Sequence, residues 1–330
     1  PHEDYMELSP EELKEIIRDM GMVGMGGAAF PTHVKLSPPK EKTIDTFIIN
    51  GAECEPYLTA DHRLMLEEPE SITAGARIAM RSLGVNRGII AIESNKPDAV
   101  EKMRELTEDI PELGVAVLRV RYPQGAEKQL IRTLLNREVP FSGGLPMDVG
   151  VIVQNVGTLS ALYKAVRFGI PLIERITTVT GSGVREPKNL RARIGTPIKS
   201  LIRACGGFST EVGKVIIGGP MMGIGQYSLE VPVVKGTSGI LVQSLSEVEE
   251  GIAQACIRCG SCVRTCPSRL MPTILAVFAQ RDMFEEADSY DVADCIECGC
   301  CSYACPARIP LVQLLRYAKA EVLARKKKAA

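Results

Sequence analysis

Nine of the eleven cysteines fall between Cys256 and Cys305, in two runs of one pattern. Cys256-x2-Cys259-x2-Cys262-x3-Cys266-Pro267 repeats as Cys295-x2-Cys298-x2-Cys301-x3-Cys305-Pro306, each residue displaced by 39 positions. Three thiolates at x2 spacing can wrap one face of an iron–sulfur cubane, and a fourth followed by proline reaches the neighbouring cluster in two-cluster ferredoxins. The pattern therefore predicts one [4Fe–4S] cluster on Cys256, Cys259, Cys262 and Cys305 and a second on Cys295, Cys298, Cys301 and Cys266. Zinc sites also use CxxC pairs, but seldom four thiolates within eleven residues twice over. Cys300 lies outside the pattern and reads as a packed thiol that binds no metal. Cys205, in Ala204-Cys205-Gly206-Gly207, reads as a small buried residue.

A second chemical signal is the loop Gly21-Met22-Val23-Gly24-Met25-Gly26-Gly27-Ala28-Ala29-Phe30-Pro31. It contains a formal GxGxxA, but it follows a helix and not a strand, so it lacks the context of a dinucleotide fingerprint. Phosphate binding and a plain helix C-cap are both open readings. The helix before it is signalled by Ser9-Pro10-Glu11-Glu12, with an N-cap hydroxyl and proline at N1; Leu13, Ile16, Ile17 and Met20 form its apolar face and Gly21 ends it.

The elements that must position these residues alternate. Strands are expected at Thr46–Asn50, Gly88–Glu93, Val115–Arg121 and Val149–Gln154, with helices at Glu70–Leu83, Pro97–Leu106, Ala126–Asn136 and Thr158–Phe168. Such alternation implies a layered α/β domain with a mostly parallel sheet, whose ligands bind beyond the carboxyl ends of the strands. Polar residues gather there: Asn50, Glu53 and Glu55; Glu93, Ser94 and Asn95; Gln124, Gly125 and Glu127; Asn155 and Thr158. From Ile173 to Gly223, strands around a short helix at Ser200–Cys205 suggest a small β-grasp-like module. No residue pattern in it points to catalysis, so its expected role is spacing or partner contact. Between the cysteine runs Pro272–Ala287 reads as one helix breaking near Asp288, and Leu311–Arg325 as another, so the cluster domain should be mostly helical.

Composition narrows the function. With 330 residues the chain has room for two or three domains. Its 39 Lys+Arg against 40 Asp+Glu give a net charge of −1, which offers nothing for a nucleic-acid binder that works by phosphate neutralisation. No apolar run approaches the roughly 18 residues that span a bilayer. Clustered cysteines without an export signal favour a reducing compartment over a disulfide framework. The chain opens Pro1-His2-Glu3 without Met or a leader, and is expected to be a trimmed or processed piece with sequence upstream. The basic run Arg325-Lys326-Lys327-Lys328 reads as a solvated helix end, with contact to an anionic membrane surface as the alternative.

Four stretches beside the cysteine runs carry a family resemblance: Gly24-Met25-Gly26-Gly27-Ala28-Ala29-Phe30-Pro31-Thr32 with Lys35; Asn50-Gly51-Ala52-Glu53-Cys54-Glu55-Pro56; Tyr122-Pro123-Gln124-Gly125-Ala126-Glu127-Lys128; and Val153-Gln154-Asn155-Val156-Gly157-Thr158-Leu159. The chain resembles the C-subunit family of Rnf electron-transport complexes. Over residues 9 to about 225 it is also similar to the flavin-carrying, NADH-oxidising subunit of respiratory complex I. The resemblance implies a layered α/β, Rossmann-like FMN-binding domain at 1–170, a soluble-ligand-binding β-grasp domain at 171–247 and a helical ferredoxin-type domain with two [4Fe–4S] clusters at 248–330. It implies that Gly24, Gly26, Gly27 and Lys35 hold the FMN phosphate and ring edge, and that Asn50, Glu53, Asn155 and Thr158 bond the ring or ribityl chain. Phe30 would stack on the dinucleotide, and Glu55 and Glu127 would accept its hydrogen bonds. The complex I protein has Arg where Met25 stands and acids where Ala52 and Ala126 stand, so nucleotide binding should be weaker or differently posed. Its single cluster, against two motifs here, selects the Rnf family.

The implied function is electron transfer in an ion-translocating ferredoxin:NAD+ oxidoreductase: hydride exchange between NAD(H) and FMN, then single electrons through two clusters to or from partner subunits. No side chain is asked for acid–base chemistry. Partners would be NAD(H) and other subunits of a membrane complex, with ferredoxin reached only indirectly. The location would be peripheral, on the cytoplasmic face of the inner membrane. A flavin-free iron–sulfur relay and a diaphorase subunit of a soluble hydrogenase or formate dehydrogenase are the alternatives.

Overall fold

The computed structural model describes residues 1–248 and 251–329. Residues 249–250, near the start expected for the cluster-bearing domain, and residue 330 lie outside the described residues. The chain divides into two compact units, one formed by Pro1–Glu138 with Pro146–Val248 and the other by Val139–Leu145 with Glu249–Ala330.

The first unit contains two sheets. Strands β1 (Thr46–Gly51), β2 (Gly88–Glu93), β3 (Leu113–Leu118) and β4 (Val151–Asn155) form an all-parallel sheet in the order β3-β2-β1-β4. Phe47, Ile48 and Ile49 of β1 are wholly buried. A parallel strand covered on both faces must read as a continuous apolar run, which is why β1 shows no alternation. The strand order reverses between β1 and β4, so their carboxyl ends open a crevice where Asn50 lies in register with Asn155. The first helix, Pro10–Asp19, starts at the expected Ser9 cap, which Glu12 completes as a capping box. Helices Pro69–Leu83 and Val156–Phe168 end at Gly84 and Gly169, both left-handed.

These two helices cross at Gly75, where an added Cβ would lie 1.9 Å from the Leu159 carbonyl oxygen. Gly75→Ala forces the backbones apart and is expected to destabilise the unit by about 1–3 kcal/mol, the usual range for overpacking. Thermal melting checks this, and an unchanged midpoint would contradict so close a crossing.

The second sheet is five-stranded: β5 (Glu174–Thr180), β6 (Lys188–Arg193), β7 (Val212–Ile217), β8 (Ile224–Gln226) and β9 (Gly239–Ser244), in the order β6-β5-β9-β7-β8. β5 and β9 pair in parallel at its centre while the other pairings are antiparallel, and helix Ile198–Ala204 packs on the sheet through Ile198, Leu201 and Ile202. This is the expected β-grasp module. Cys205 is wholly buried in its core.

The second unit is helical, with Pro272–Gln280, Phe284–Ser289 and Leu311–Ala329 around a core that includes Leu275, Phe284, Ala287 and Leu315. The loop Val139–Leu145 belongs to this unit, and its Ser142 amide donates to Asp294 at 2.6 Å. At the end of the last helix Lys326 pairs with Asp288 at 2.7 Å and Arg325 lies over the Phe284 ring, so part of the basic run is engaged by its own unit. Among the described residues no helix is long and apolar enough to cross a membrane.

Several sequence expectations need correction. The helix expected over Pro272–Ala287 stops at Gln280, because Asp282 adopts a left-handed conformation and the chain restarts as Phe284–Ser289. Apolar spacing runs through such a break, since both halves face one core. β3 ends at Leu118, not Arg121. Helix Ala60–Glu67 and strands β8 and β9 carry no sequence signal strong enough to predict them.

Candidate functional site

The crevice between β1 and β4 is built from loops far apart in sequence. Asn155 ends β4 and caps helix Val156–Phe168, its side-chain oxygen accepting from the Gly157 amide at 2.9 Å. The same residue donates from Nδ2 to Asp61 at 2.6 Å. In the first turn of the helix, Thr158 accepts from the Met25 amide at 2.9 Å and pins the glycine loop over the crevice. Gly26 lies against Asn155, an added Cβ there meeting the Asn155 Cβ at 3.4 Å. Gly27 has φ +118°, a conformation that L side chains rarely adopt. Among the described residues the amides of Gly26, Gly27 and Ala28 meet no protein acceptor. Unpaired amides beside a helix N-terminus form a cradle for an anionic group.

The opposite wall is held by Asn50. Its Nδ2 donates to the Gly125 carbonyl at 2.9 Å and its oxygen accepts from the Ala52 amide at 3.0 Å. These bonds draw the Gly125 loop onto the Ala52 turn so closely that a Cβ at Gly125 would sit 2.3 Å from the Ala52 oxygen. Lys35 and Glu127 form an ion pair at 2.5 Å, and Phe30 is half exposed. Open amides and a glycine-tight wall fit a phosphate and a flat polar ring.

Under the crevice lies a charge network that the sequence reveals only in part. Glu53 caps helix Ala60–Glu67, accepting from the Asp61 and His62 amides at 3.0 and 3.1 Å. Burial, with the Asp61 charge beside it, pushes its pKa up to about 7. Burial also raises Asp61, against the Asn155 hydrogen bond and Arg175. Lys96 and Glu93 form a buried pair at 3.3 Å, and Lys96 also reaches the Glu53 carbonyl. Arg175 of β5 is buried, its pKa brought down to about 10 by desolvation. Asp61, Lys96 and Arg175 carry no motif that would have found them. The β-grasp module is therefore not just a spacer, because it places a guanidinium at this site.

Glu55 stands apart from the crevice residues. Its carboxylate accepts from the Met221 and Met222 amides at 3.1 and 2.7 Å, against Gly219, where any Cβ would collide with it.

In the second unit the duplicated motifs are duplicated in backbone. Arg258 and Glu297, Gly260 and Gly299, and Arg269 and Arg308 are matching left-handed positions. The turn after the first cysteine aims an amide back at it, Arg258 N to Cys256 Sγ and Glu297 N to Cys295 Sγ, both at 3.4 Å. Cys256, Cys259, Cys262 and Cys305 line one cavity; Cys266, Cys295, Cys298 and Cys301, with Cys300 beside them, line another. Each cavity mixes both motifs. Among the described residues no three His, Cys, Asp or Glu side chains could hold a single metal ion. Thiolates spread round a cavity suit a cubane. Cys300 occupies the place of Ser261 in the first motif; Ser261 meets Cys259 Sγ at 3.5 Å, and a hydrogen bond to Cys298, with burial, raises the Cys300 pKa.

Three family descriptions match in sequence: "Nuo51 FMN-binding domain" over residues 17–164, "SLBB domain" over 176–225 and "4Fe-4S dicluster domain" over 251–306. FMN and [4Fe–4S] clusters are the cofactors of these domains, and the two sites fit them. The C subunit of the proton-translocating ferredoxin:NAD(+) oxidoreductase complex of Clostridium ljungdahlii is 53% identical over 319 residues, covering 96% of this chain and 69% of that protein. The Na(+)-translocating counterpart of Acetobacterium woodii is 47% identical over 328 residues, 99% of this chain and 74% of that one. The C subunit of the ion-translocating oxidoreductase complex of Rhodobacter capsulatus is 46% identical over 318 residues, 96% of this chain and 61% of that one. In fold, the chain is similar to a chain of an air-oxidized NAD+-reducing [NiFe]-hydrogenase, with TM-score 0.67 at 19% identity over 98% of this chain and 68% of that one. On identity and coverage, the chain belongs to the C-subunit family of ion-translocating ferredoxin:NAD+ oxidoreductase (Rnf) complexes.

Proposed function

We propose that this chain is the member of an ion-translocating ferredoxin:NAD+ oxidoreductase complex that converts between the hydride of NAD(H) and single electrons. The observation that carries the reading is that one chain holds both an anion cradle at the β1/β4 switch point and two cavities, each lined by cysteines of both runs. FMN, when bound, exchanges a hydride with a nicotinamide and single electrons with iron–sulfur centres. The protein's share is binding and orientation. Gly24, Gly26, Gly27 and Lys35 would hold the phosphate and ring edge, and Asn155 and Thr158 fix the loop that faces them. Asn50 and Glu53 act through the walls they brace, since their polar atoms bond neighbouring amides and carbonyls. Half-exposed Phe30 would stack on a dinucleotide, with Glu127 in its ion pair to Lys35 as the acceptor beside it. Glu55, bonded to Met221 and Met222, would reach NADH only by exchanging those partners.

Cys256, Cys259, Cys262 and Cys305 would ligate one cluster, and Cys266, Cys295, Cys298 and Cys301 the other. On this reading the chain attaches peripherally to the cytoplasmic face of a membrane through other subunits, and co-sedimentation with membranes only when those subunits are present would support it.

The test is anaerobic reconstitution with iron, sulfide and FMN, removal of unbound flavin, and addition of NADH. Retained flavin that bleaches, followed by cluster bleaching, is the expected result, and Lys35→Ala should lose the flavin. A chain that holds about eight irons but no flavin, and ignores NADH, would be a plain relay, and the proposal would fall.

A further inference from the structure

We infer that the β-grasp module clasps the glycine loop from behind and so sets how tightly FMN is held, with Arg175 as the positioning residue. This rests on the reading of the crevice as the FMN site.

The loop from Gly21 to Pro31 has no charged side chain, so something else must hold its shape. Arg175 Nη2 donates to the Met25 carbonyl at 3.3 Å and Nη1 to the Lys235 carbonyl at 2.5 Å. The Met25 residue is thereby gripped at both ends, by Thr158 at its amide and by Arg175 at its carbonyl. Lys235 itself reaches back, its Nζ donating to the Gly21 carbonyl at 2.6 Å. Next to it Gly236 lies so near the loop that an added Cβ would be 3.1 Å from the Gly27 oxygen. The turn that supplies these contacts is pinned to its own sheet, Val234 N bonding Thr237 Oγ1 at 3.0 Å and Thr177 Oγ1 bonding the Thr237 carbonyl at 3.2 Å.

Peptide planarity gives this arrangement its consequence. In a trans peptide the carbonyl of one residue and the amide of the next point in opposite directions. With the Met25 carbonyl turned to Arg175, the Gly26 amide is turned away from it; with the Gly27 carbonyl turned to Gly236, the Ala28 amide is turned away as well. Those are two of the three amides that meet no protein acceptor. The clasp therefore orients the donors that the cradle offers. A guanidinium suits the task because its rigid fork of donors can serve several carbonyls at once, and Asp61 offsets the cost of burying its charge.

The test measures the FMN dissociation constant by flavin fluorescence quenching on the full, cluster-loaded chain. Arg175→Gln is expected to weaken FMN about tenfold or more, the usual cost of losing a charged hydrogen bond. Arg175→Lys should recover part of it, while iron content and the flavin-free melting temperature stay near those of the parent. Arg191→Gln serves as the control, since Arg191 of the same module pairs with Glu174 of β5 and with Glu68 at the start of helix Pro69–Leu83 without touching the glycine loop, and it should change FMN affinity little. Should Arg175→Gln fail to fold, Gly236→Ala, whose methyl meets the Gly27 oxygen, should still weaken FMN without unfolding the chain. Unchanged affinity in the Arg175 and Gly236 variants, with Lys35→Ala weakened, would overturn the clasp and leave the site standing. Equal losses in Arg175→Gln and Arg191→Gln would overturn it too, by showing general docking of the module. If Lys35→Ala also binds FMN normally, the crevice is not the FMN site and the clasp falls with it.

Discussion

Cys305→Ser is expected to remove the cluster of the first motif and leave that of the second. Cys305 belongs by sequence to the second run, but it lines the cavity of Cys256, Cys259 and Cys262. A cubane that loses one of four thiolates is held by three and opened to solvent, so iron content should fall from about eight to about four per chain. Pairing variants tells which cluster goes. Cys305→Ser with Cys256→Ser should cost no more iron than either alone, because both strike one cluster, whereas Cys305→Ser with Cys295→Ser should remove nearly all of it. The reverse result, additivity with Cys256→Ser and none with Cys295→Ser, would mean that each run binds its own cluster. The matched left-handed turns at Arg258 and Glu297 support equal local geometry at both sites, so the two reciprocal variants, Cys305→Ser and Cys266→Ser, should behave alike.

A pH-dependent loss of stability is expected from Glu53. Its pKa in the folded protein, about 7, lies above the ordinary value of 4.5, because burial and the Asp61 charge disfavour the carboxylate. Folding therefore favours the protonated acid. The stabilisation is complete below about pH 4.5 and is lost as pH rises through 7, up to about 3 kcal/mol for a shift of this size. Other groups titrate over the same range, so the readout is the difference between the parent chain and Glu53→Gln in denaturant melts of the flavin-free protein from pH 5 to 8. The Gln variant gives up one amide bond to the helix Ala60–Glu67, which offsets its curve at every pH, but it should not share the slope. Parallel curves would mean that Glu53 is ionised in the folded state throughout.

Much of the fold is legible because its signals are local. β1 is an unbroken apolar run, Ser9 and Glu12 form their box within one turn, and Asn155 both ends a strand and caps a helix. Helix Ala60–Glu67 lacks such a signal because its cap, Glu53, lies well upstream of it and Thr59 makes no side-chain cap bond. The break at Asp282 is hidden because the apolar spacing that predicts a helix reports which residues face the core, not whether the backbone between them stays helical.

The sequence by itself determined the cofactor classes, FMN and iron–sulfur clusters, and predicted the crosswise sharing of cysteines between the two runs and the strand ends at which ligands gather. Ligand spacing in a cysteine run is a property of a few consecutive backbone dihedrals, and strand ends with polar residues can be read one strand at a time. Only the tertiary structure decided that Glu55 turns to Met221 and Met222, and that Arg175 closes on the Met25 carbonyl 150 residues away in sequence. A buried ion or hydrogen bond imposes no periodicity on the chain around it. Its partners are chosen by how the two sheets of the first unit pack, and no stretch of residues records that choice.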